Sequence, residues 1–220
     1  LDDQFFVGRD LLVAPILFPA AGAPAGRDVY LPAGSDWYAF RDHDGLDAPI
    51  SGGRQIRRND VGLDETPIYV RAGAILPMRS LVEQHVGELP HNPLEIFVYP
   101  GPDRDHVMYQ DDGTTMDAAR RKAYRTTRIS RRTIVGGVSV RLRRMHDGYD
   151  PPEAFYMIRL PATPQPVAVT VAERRLRVCD GPSMLAGAAG EGYVWDASSA
   201  ATIVKVFDTA ADVTMTALFE

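Results

Sequence analysis

Apolar and polar residues alternate with a period of two over much of this chain. In Val138-Ser139-Val140-Arg141-Leu142-Arg143 one parity is apolar and the other polar, which sets one strand face against a core and the other against water. Leu11 to Leu17 is instead a nearly continuous apolar run, stopped by Pro19 and an Ala/Gly/Pro stretch to Gly26. It predicts a strand buried on both faces. Short β-prone segments follow at Val29 to Leu31, Trp37 to Phe40 and Pro67 to Arg71, separated by the turn formers Ala33-Gly34-Ser35-Asp36, Asp44-Gly45 and Ser51-Gly52-Gly53. A second series covers Leu94 to Tyr99, His106 to Tyr109, Tyr124 to Ile129, Ile134 to Leu142 and Phe155 to Leu160. It continues through Val167 to Val171, Leu176 to Val178, Thr202 to Phe207 and Val213 to Leu218. Turns at roughly 8–12-residue spacing predict an all-β sandwich or barrel. Helical pattern is limited to a turn or two at Met116 to Lys122, and Gly181 to Gly192 reads as a mobile loop.

The 220 residues exceed the usual single-domain size of roughly 100–150 residues, so two modest domains are expected. The polar segment Arg79 to Pro93 reads as the link between them. The expected architecture is all-β, two tandem antiparallel β-sandwich domains: an entry segment with the first strand at 1–21, a proximal domain at 22–81, a linker at 82–92 and a distal domain at 93–220. Hydrophobic residues make up 45% and charged residues 24%, an ordinary globular balance that argues against disorder.

Charge narrows the partners. The net charge is −5, and lysine occurs only at Lys122 and Lys205. The Arg-rich stretch Arg120, Arg121, Lys122, Arg125, Arg128, Arg131, Arg132 is interleaved with Thr126, Thr127, Ile129, Thr133 and Ile134, the pattern of strands with solvated arginines. No nucleic-acid partner is expected of an acidic chain without a recognition module. No apolar run is long enough to span a bilayer, so no membrane partner is expected. The lone Cys179 excludes an internal disulfide framework and a Cys-based metal cluster. It fits a reducing, cytoplasmic compartment, while secretion of a longer parent is left open.

Candidate chemistry is sparse. Asp111-Asp112-Gly113-Thr114-Thr115 could serve acid/base chemistry or ligate calcium, with Asn59, Asp60, Asp64, Glu65, Asp103 and Asp105 as further oxygen donors. Against this, an Asp-Gly step after a strand is a turn signal, and adjacent strand residues point to opposite faces. No segment matches the calcium loop D-x-[DN]-x-[DN]-G. Trp37, Tyr38 and Phe40 form either a platform for a pyranose ring or, in alternation, part of a core; Tyr193 and Trp195 are a second candidate platform. The histidines His43, His85, His91, His106 and His146 lack metal-ligand spacing. Gly137-Val138-Ser139-Val140-Arg141 lacks the second glycine of a nucleophile elbow, and Gly187, Gly190 and Gly192 do not form a dinucleotide fingerprint. Gly73 is expected to bend the chain between two apolar runs, and Arg71 to form an ion pair facing a domain outside this chain.

Five landmarks occur in order: Asp3 to Leu17, Arg27-Asp28-Val29-Tyr30-Leu31-Pro32, Trp37-Tyr38-Ala39-Phe40, Pro67 to Met78, and Tyr109-Gln110-Asp111-Asp112-Gly113-Thr114. Together they resemble the C-terminal β-domains of glycoside hydrolase family 31, the α-glucosidase and α-xylosidase family. The resemblance is specific through Asp112 and looser from Ser183 onward. It implies that Leu1 is not a natural beginning and that a catalytic (β/α)8 barrel of the same parent chain is the partner. That barrel would carry the two catalytic aspartates of a retaining enzyme acting on α-linked oligosaccharide. No catalytic, cofactor-binding or metal residue is carried over to this chain, no cofactor is implied, and substrate-binding residues stay open. So do α-glucoside against α-xyloside and hydrolysis against transglycosylation. Gln110 stands where the family usually has glutamate. The alternative is a stand-alone carbohydrate-binding or structural module. An apolar surface normally covered by the barrel would make the isolated chain self-associate.

Overall fold

The computed structural model describes residues 3–17, 25–40, 45–62, 65–79, 81–85, 88–89 and 93–220. The fold is all-β, and the chain separates into two compact units, Leu1–Ala74 and Ile75–Glu220.

In the first unit, the strands are β1 (Phe5–Val7), β2 (Leu11–Val13), β3 (Ala25–Leu31), β4 (Asp36–Ala39), β5 (Ile50–Ser51), β6 (Arg54–Val61) and β7 (Ile68–Arg71). Five form a sheet in the order β1-β2-β7-β4-β5, while β3 and β6 pair separately. Leu12, Ala14, Val29, Leu31, Trp37 and Tyr69 form one core cluster drawn from both layers. The run from Leu11 to Leu17 does not give a strand buried on both faces. Only Leu12 and Ala14, on one parity, are buried, and Leu17 is exposed. β6 is absent from the sequence expectation because Arg54-Gln55-Ile56-Arg57-Arg58-Asn59-Asp60-Val61 offers few apolar residues. Its pairing with β3 is what makes it a strand. The predicted turn residue Asp44 lies outside the described residues, as does most of the Pro19 to Gly26 stretch.

In the second unit, β8 (Ile75–Arg79), β9 (Leu94–Val98) and β10 (Arg104–Gln110) precede a short helix, α1 (Ala118–Arg121). The long strands β11 (Arg125–Ile134) and β12 (Gly137–Asp147) follow, then β13 (Phe155–Leu160), β14 (Ala168–Val171), β15 (Arg174–Arg175) and β16 (Arg177–Val178). Helix α2 (Pro182–Gly187) leads into β17 (Gly192–Asp196), β18 (Ala201–Phe207) and β19 (Asp212–Leu218). Two six-stranded sheets result, ordered β10-β11-β12-β19-β14-β15 and β16-β17-β18-β13-β9-β8. Pairing is antiparallel except at β9 with β13 and β16 with β17. Ile129, Val140, Leu142, Val169 and Met215 of one sheet pack with Ile96, Tyr156, Ile158, Val204 and Val206 of the other, closing a sandwich. The alternation in Val138 to Arg143 is realised as read, with Val138, Val140 and Leu142 buried.

The strand Ile75–Arg79, placed in the proximal domain by the sequence reading, is hydrogen-bonded to Leu94–Val98 and belongs to the second unit. The loop expected at Gly181 to Gly192 contains α2 and the start of β17. The helix is held by Leu185, which packs with Met157, Val194 and Ile203 on the outer face of the sheet. Lys205 reinforces it: its Nζ donates to the carbonyls of Ala186 at 2.8 Å and Ala188 at 2.6 Å. The ammonium also lies 4.0 Å from the Phe155 ring centroid, a cation–π contact.

Candidate functional site

The Asp111-Asp112-Gly113 step is a turn whose carboxylates serve its own backbone. Asp111 Oδ1 accepts from the Gly113 amide at 2.9 Å, and Asp112 Oδ1 accepts from the amides of Thr114 at 3.0 Å and Thr115 at 2.8 Å. Gly113 takes a positive φ of 66°, which favours glycine. Hydrogen bonds from the Thr115 hydroxyl and amide, then the Thr114 amide, hold the Asp112 carboxyl down at about 2, so Asp112 stays ionised and unsuited to proton donation near neutrality.

The turn forms one wall of a cleft of about 410 Å³. Gln110, at the end of β10, and Glu153, just before β13, meet at its base. Glu153 has a side chain only 1% exposed. Arg79, at the end of β8, binds its Oε1, and Gln110 Nε2 donates to its Oε2 at 3.2 Å. Gln110 Oε1 is buried with no hydrogen-bond partner among the described residues. Tyr109, Tyr149, Pro151 and Pro152 supply apolar surface around these groups. Tyr109 donates its hydroxyl to Asp111 Oδ2 at 3.0 Å. Burial, then the negative charge of Glu153, Asp112 and Asp111, raises the Tyr149 phenol above its ordinary value. Sequence reasoning singled out Gln110 and the Asp pair but missed Glu153, Tyr149 and Arg79. Glu153 lies in a Pro-rich loop with no motif, and its contacts span 74 residues to Arg79 and 43 to Gln110.

The other candidates resolve into structural roles. Trp37 is fully buried, and its indole N–H donates to the Pro32 carbonyl at 3.0 Å. Tyr38 beside it is also buried, so the two do not alternate between core and solvent as expected. Neither offers a free ring face as a platform. Tyr193 is buried and Trp195 half-buried, with its N–H on the Thr163 carbonyl at 3.0 Å. Arg71 lies over the Trp37 ring at 4.5 Å from its centroid, with Asp10 Oδ1 at 3.8 Å. Gly73 adopts a positive φ of 80°, and the Ala74 amide reaches back to the Arg71 carbonyl at 3.0 Å; this is the expected bend.

Of the proposed oxygen donors, Asp103 pairs with Arg131, Asp105 with Arg132 and Glu65 with Arg58. Asn59 Oδ1 accepts from Arg57. Asp64, His43 and His91 lie outside the described residues, as does the side chain of Asp60. His146 packs at a tilt against Tyr124, with ring centroids 4.2 Å apart, and its Nε2 is 2.9 Å from the Lys122 carbonyl. Among the described residues, no three His, Cys, Asp or Glu side chains gather to hold a metal ion. In the Arg-rich stretch, Arg125 is buried and bonded to Asp147, Asp150 and Asp208, a structural use.

Comparison with known proteins places these features in a larger context. Residues 1–76 match the glycosyl hydrolase family 31 C-terminal domain. The chain is 32% identical over 123 residues to an alpha-xylosidase of Saccharolobus solfataricus, covering 56% of this chain and 16% of that protein. It is 30% identical over 122 residues to a probable alpha/beta-glucosidase of Aspergillus oryzae, covering 53% of this chain and 13% of that protein. The matches thus span about a sixth or less of these curated relatives. In fold, 99% of the chain superposes on 27% of a GH31 dextranase of Flavobacterium johnsoniae solved with glucose, with a TM-score of 0.86 and 24% identity.

Proposed function

We propose that this chain, whose residues 1–76 match the glycosyl hydrolase family 31 C-terminal domain, is the non-catalytic C-terminal region of a retaining α-glycosidase. In this reading it stabilises the catalytic (β/α)8 barrel of the same polypeptide. The parent removes terminal α-linked glucose or xylose, the sugars named for its relatives.

The observation that carries the docking role is the state of β1. Phe5, Phe6 and Val7 are 53%, 43% and 51% exposed, on both faces of the strand. β1 is an edge strand, paired on one side with β2. An edge strand that exposes consecutive large apolar side chains is a surface proteins normally cover, since it otherwise recruits other chains. A barrel preceding β1 in the chain is the nearest available cover. Among the described residues, Asp111 and Asp112 serve their own turn and Glu153 is paired with Arg79, which supports assigning the chemistry to that barrel.

The test starts with immunodetection of the natural product using antibodies against this chain. A product much heavier than 24.2 kDa that cleaves aryl α-glucosides or α-xylosides supports the proposal. In that product, Phe5→Ser with Phe6→Ser should lower the melting temperature by several degrees, at roughly 2–4 °C per kcal/mol of lost contact, with KM unchanged. A product of this chain's own size, or no thermal effect of the double substitution, would overturn it and favour a stand-alone module.

A further inference from the structure

We propose that the cleft between Gln110 and Glu153 binds a neutral saccharide, held by hydroxyl donation to Gln110 Oε1 and by packing on Tyr109 and Tyr149. This goes beyond the docking role, and only its choice of sugar probes rests on the family reading.

The unsatisfied atom comes first. Gln110 Oε1 is buried and lacks a partner among the described residues. Flipping the amide does not relieve it, because the oxygen would then face the Glu153 carboxylate, which can only accept. Nε2 must therefore point at Glu153, as it does at 3.2 Å, and Oε1 is left for an incoming donor. The base of the cleft is also fixed in advance. Glu153 is held from both sides by Arg79 and Gln110, so its carboxylate is fixed in advance, while a ligand hydroxyl reaches the buried Gln110 Oε1 only as the side chains covering it move aside.

Charge selects the ligand class. Arg79 is balanced by Glu153. Asp111 and Asp112 are satisfied by backbone amides and by Tyr and Thr hydroxyls rather than by cations. Surplus negative charge therefore lines the cleft and disfavours phosphate or carboxylate ligands. A metal ion is disfavoured as well, because no three acidic or imidazole ligands converge among the described residues. What fits is a neutral molecule that donates several hydroxyls and presents an apolar face. Tyr149 and the exposed Pro152 border the cleft together with Tyr109, whose ring is stacked on Tyr124 at 5.3 Å between centroids. A volume of about 410 Å³ falls at the small end of ligand pockets, suited to about one or two pyranose rings.

The experiment is a titration of the natural polypeptide, isotopically labelled only within these 220 residues, with maltotriose, isomaltotriose and xylose, read from backbone amide shifts. The expected result is saturable shifts at residues 109–113 and 149–153, with half-saturation at about 1 mM. Tyr149→Ala and Gln110→Leu should each weaken binding by about tenfold. Gln110→Leu keeps the side-chain size while removing the acceptor, and Tyr149→Ala alters a cleft wall, so a folding defect in one leaves the other informative. The proposal is overturned by a folded chain with no shifts in those segments at about 50 mM sugar. Shifts centred elsewhere, or wild-type affinity in both variants, would overturn it equally. None of these outcomes bears on the Phe5 and Phe6 test, so the two proposals fail separately.

Discussion

Arg125→Leu removes a cation shared by three carboxylates inside the second unit. Its side chain is 4% exposed, with Nε 2.7 Å from Asp147, Nη1 2.6 Å from Asp208 and Nη2 3.3 Å from Asp150. Deleting one partner of a buried ion pair costs about 3–5 kcal/mol, because the remaining charge loses both solvent and counter-ion. Two features place the expectation at the lower end. Asp150 is fully exposed and contributes little. Arg144 also stays bonded to Asp208 at 2.9 Å and to Asp147 at 3.1 Å. We therefore expect a loss of about 3 kcal/mol at pH 7. The pH dependence has a definite sign. Burial pushes the Asp147 carboxyl up, but hydrogen bonding and charge from Arg125, then Arg144, outweigh it and hold its pKa below the ordinary value. A depressed carboxylate stabilises the fold above its unfolded pKa and loses that contribution as pH falls through its folded one. The gap between wild type and variant should accordingly narrow below about pH 4. Trp37 and Trp195 are the two tryptophans, one in each unit, so fluorotryptophan labelling gives each unit its own resonance during urea unfolding. A loss below about 1 kcal/mol by the Trp195 signal, or a gap that widens on acidification, would refute the reasoning.

Gln110→Glu sets a second carboxylate against Glu153, where the amide now donates at 3.2 Å; we expect a loss of about 1–3 kcal/mol at pH 7. Because the mutual repulsion raises a folded-state pKa, the penalty should fade as pH falls toward about 5, and a melting-temperature deficit that stays constant with pH would count against it. Gly148→Ala would put a Cβ 1.8 Å from the Lys122 carbonyl oxygen, so calorimetry should show a loss of about 3 kcal/mol or more, whereas a neutral result would mean that the loop yields freely. Trp37→Phe removes the bond to the Pro32 carbonyl and much of the surface under Arg71; a loss of about 2 kcal/mol is expected in thermal unfolding, against almost none for a solvent-facing platform.

The period-two pattern determined much of the fold. Val138, Val140 and Leu142 turn inward because strand geometry sends alternate side chains to one face, a local rule that needs no knowledge of the partner strand. The Asp112-Gly113 turn was equally legible, since a short carboxylate bonding to nearby amides and a glycine at positive φ act within five residues. Family resemblance was readable for the same reason: its landmarks are contiguous runs.

Tertiary structure decided the rest wherever the deciding partner was far away in the chain. The polar segment Arg54–Val61 became a strand because β3 supplies its hydrogen bonds. The Gly-rich stretch after Gly181 became helical because Leu185 and Lys205 fasten it to a sheet. Trp37 read as part of a core or as a surface platform, and its burial with the indole on the Pro32 carbonyl inside the first unit decides for the core. The cleft is the extreme case: Glu153 is a lone acid in a loop until folding brings Arg79 and Gln110 to it. Sequence alone set which faces are apolar and where the chain turns, because those follow from neighbouring residues. Only the fold decided which polar groups are buried together, because burial and pairing depend on contacts that no local pattern encodes.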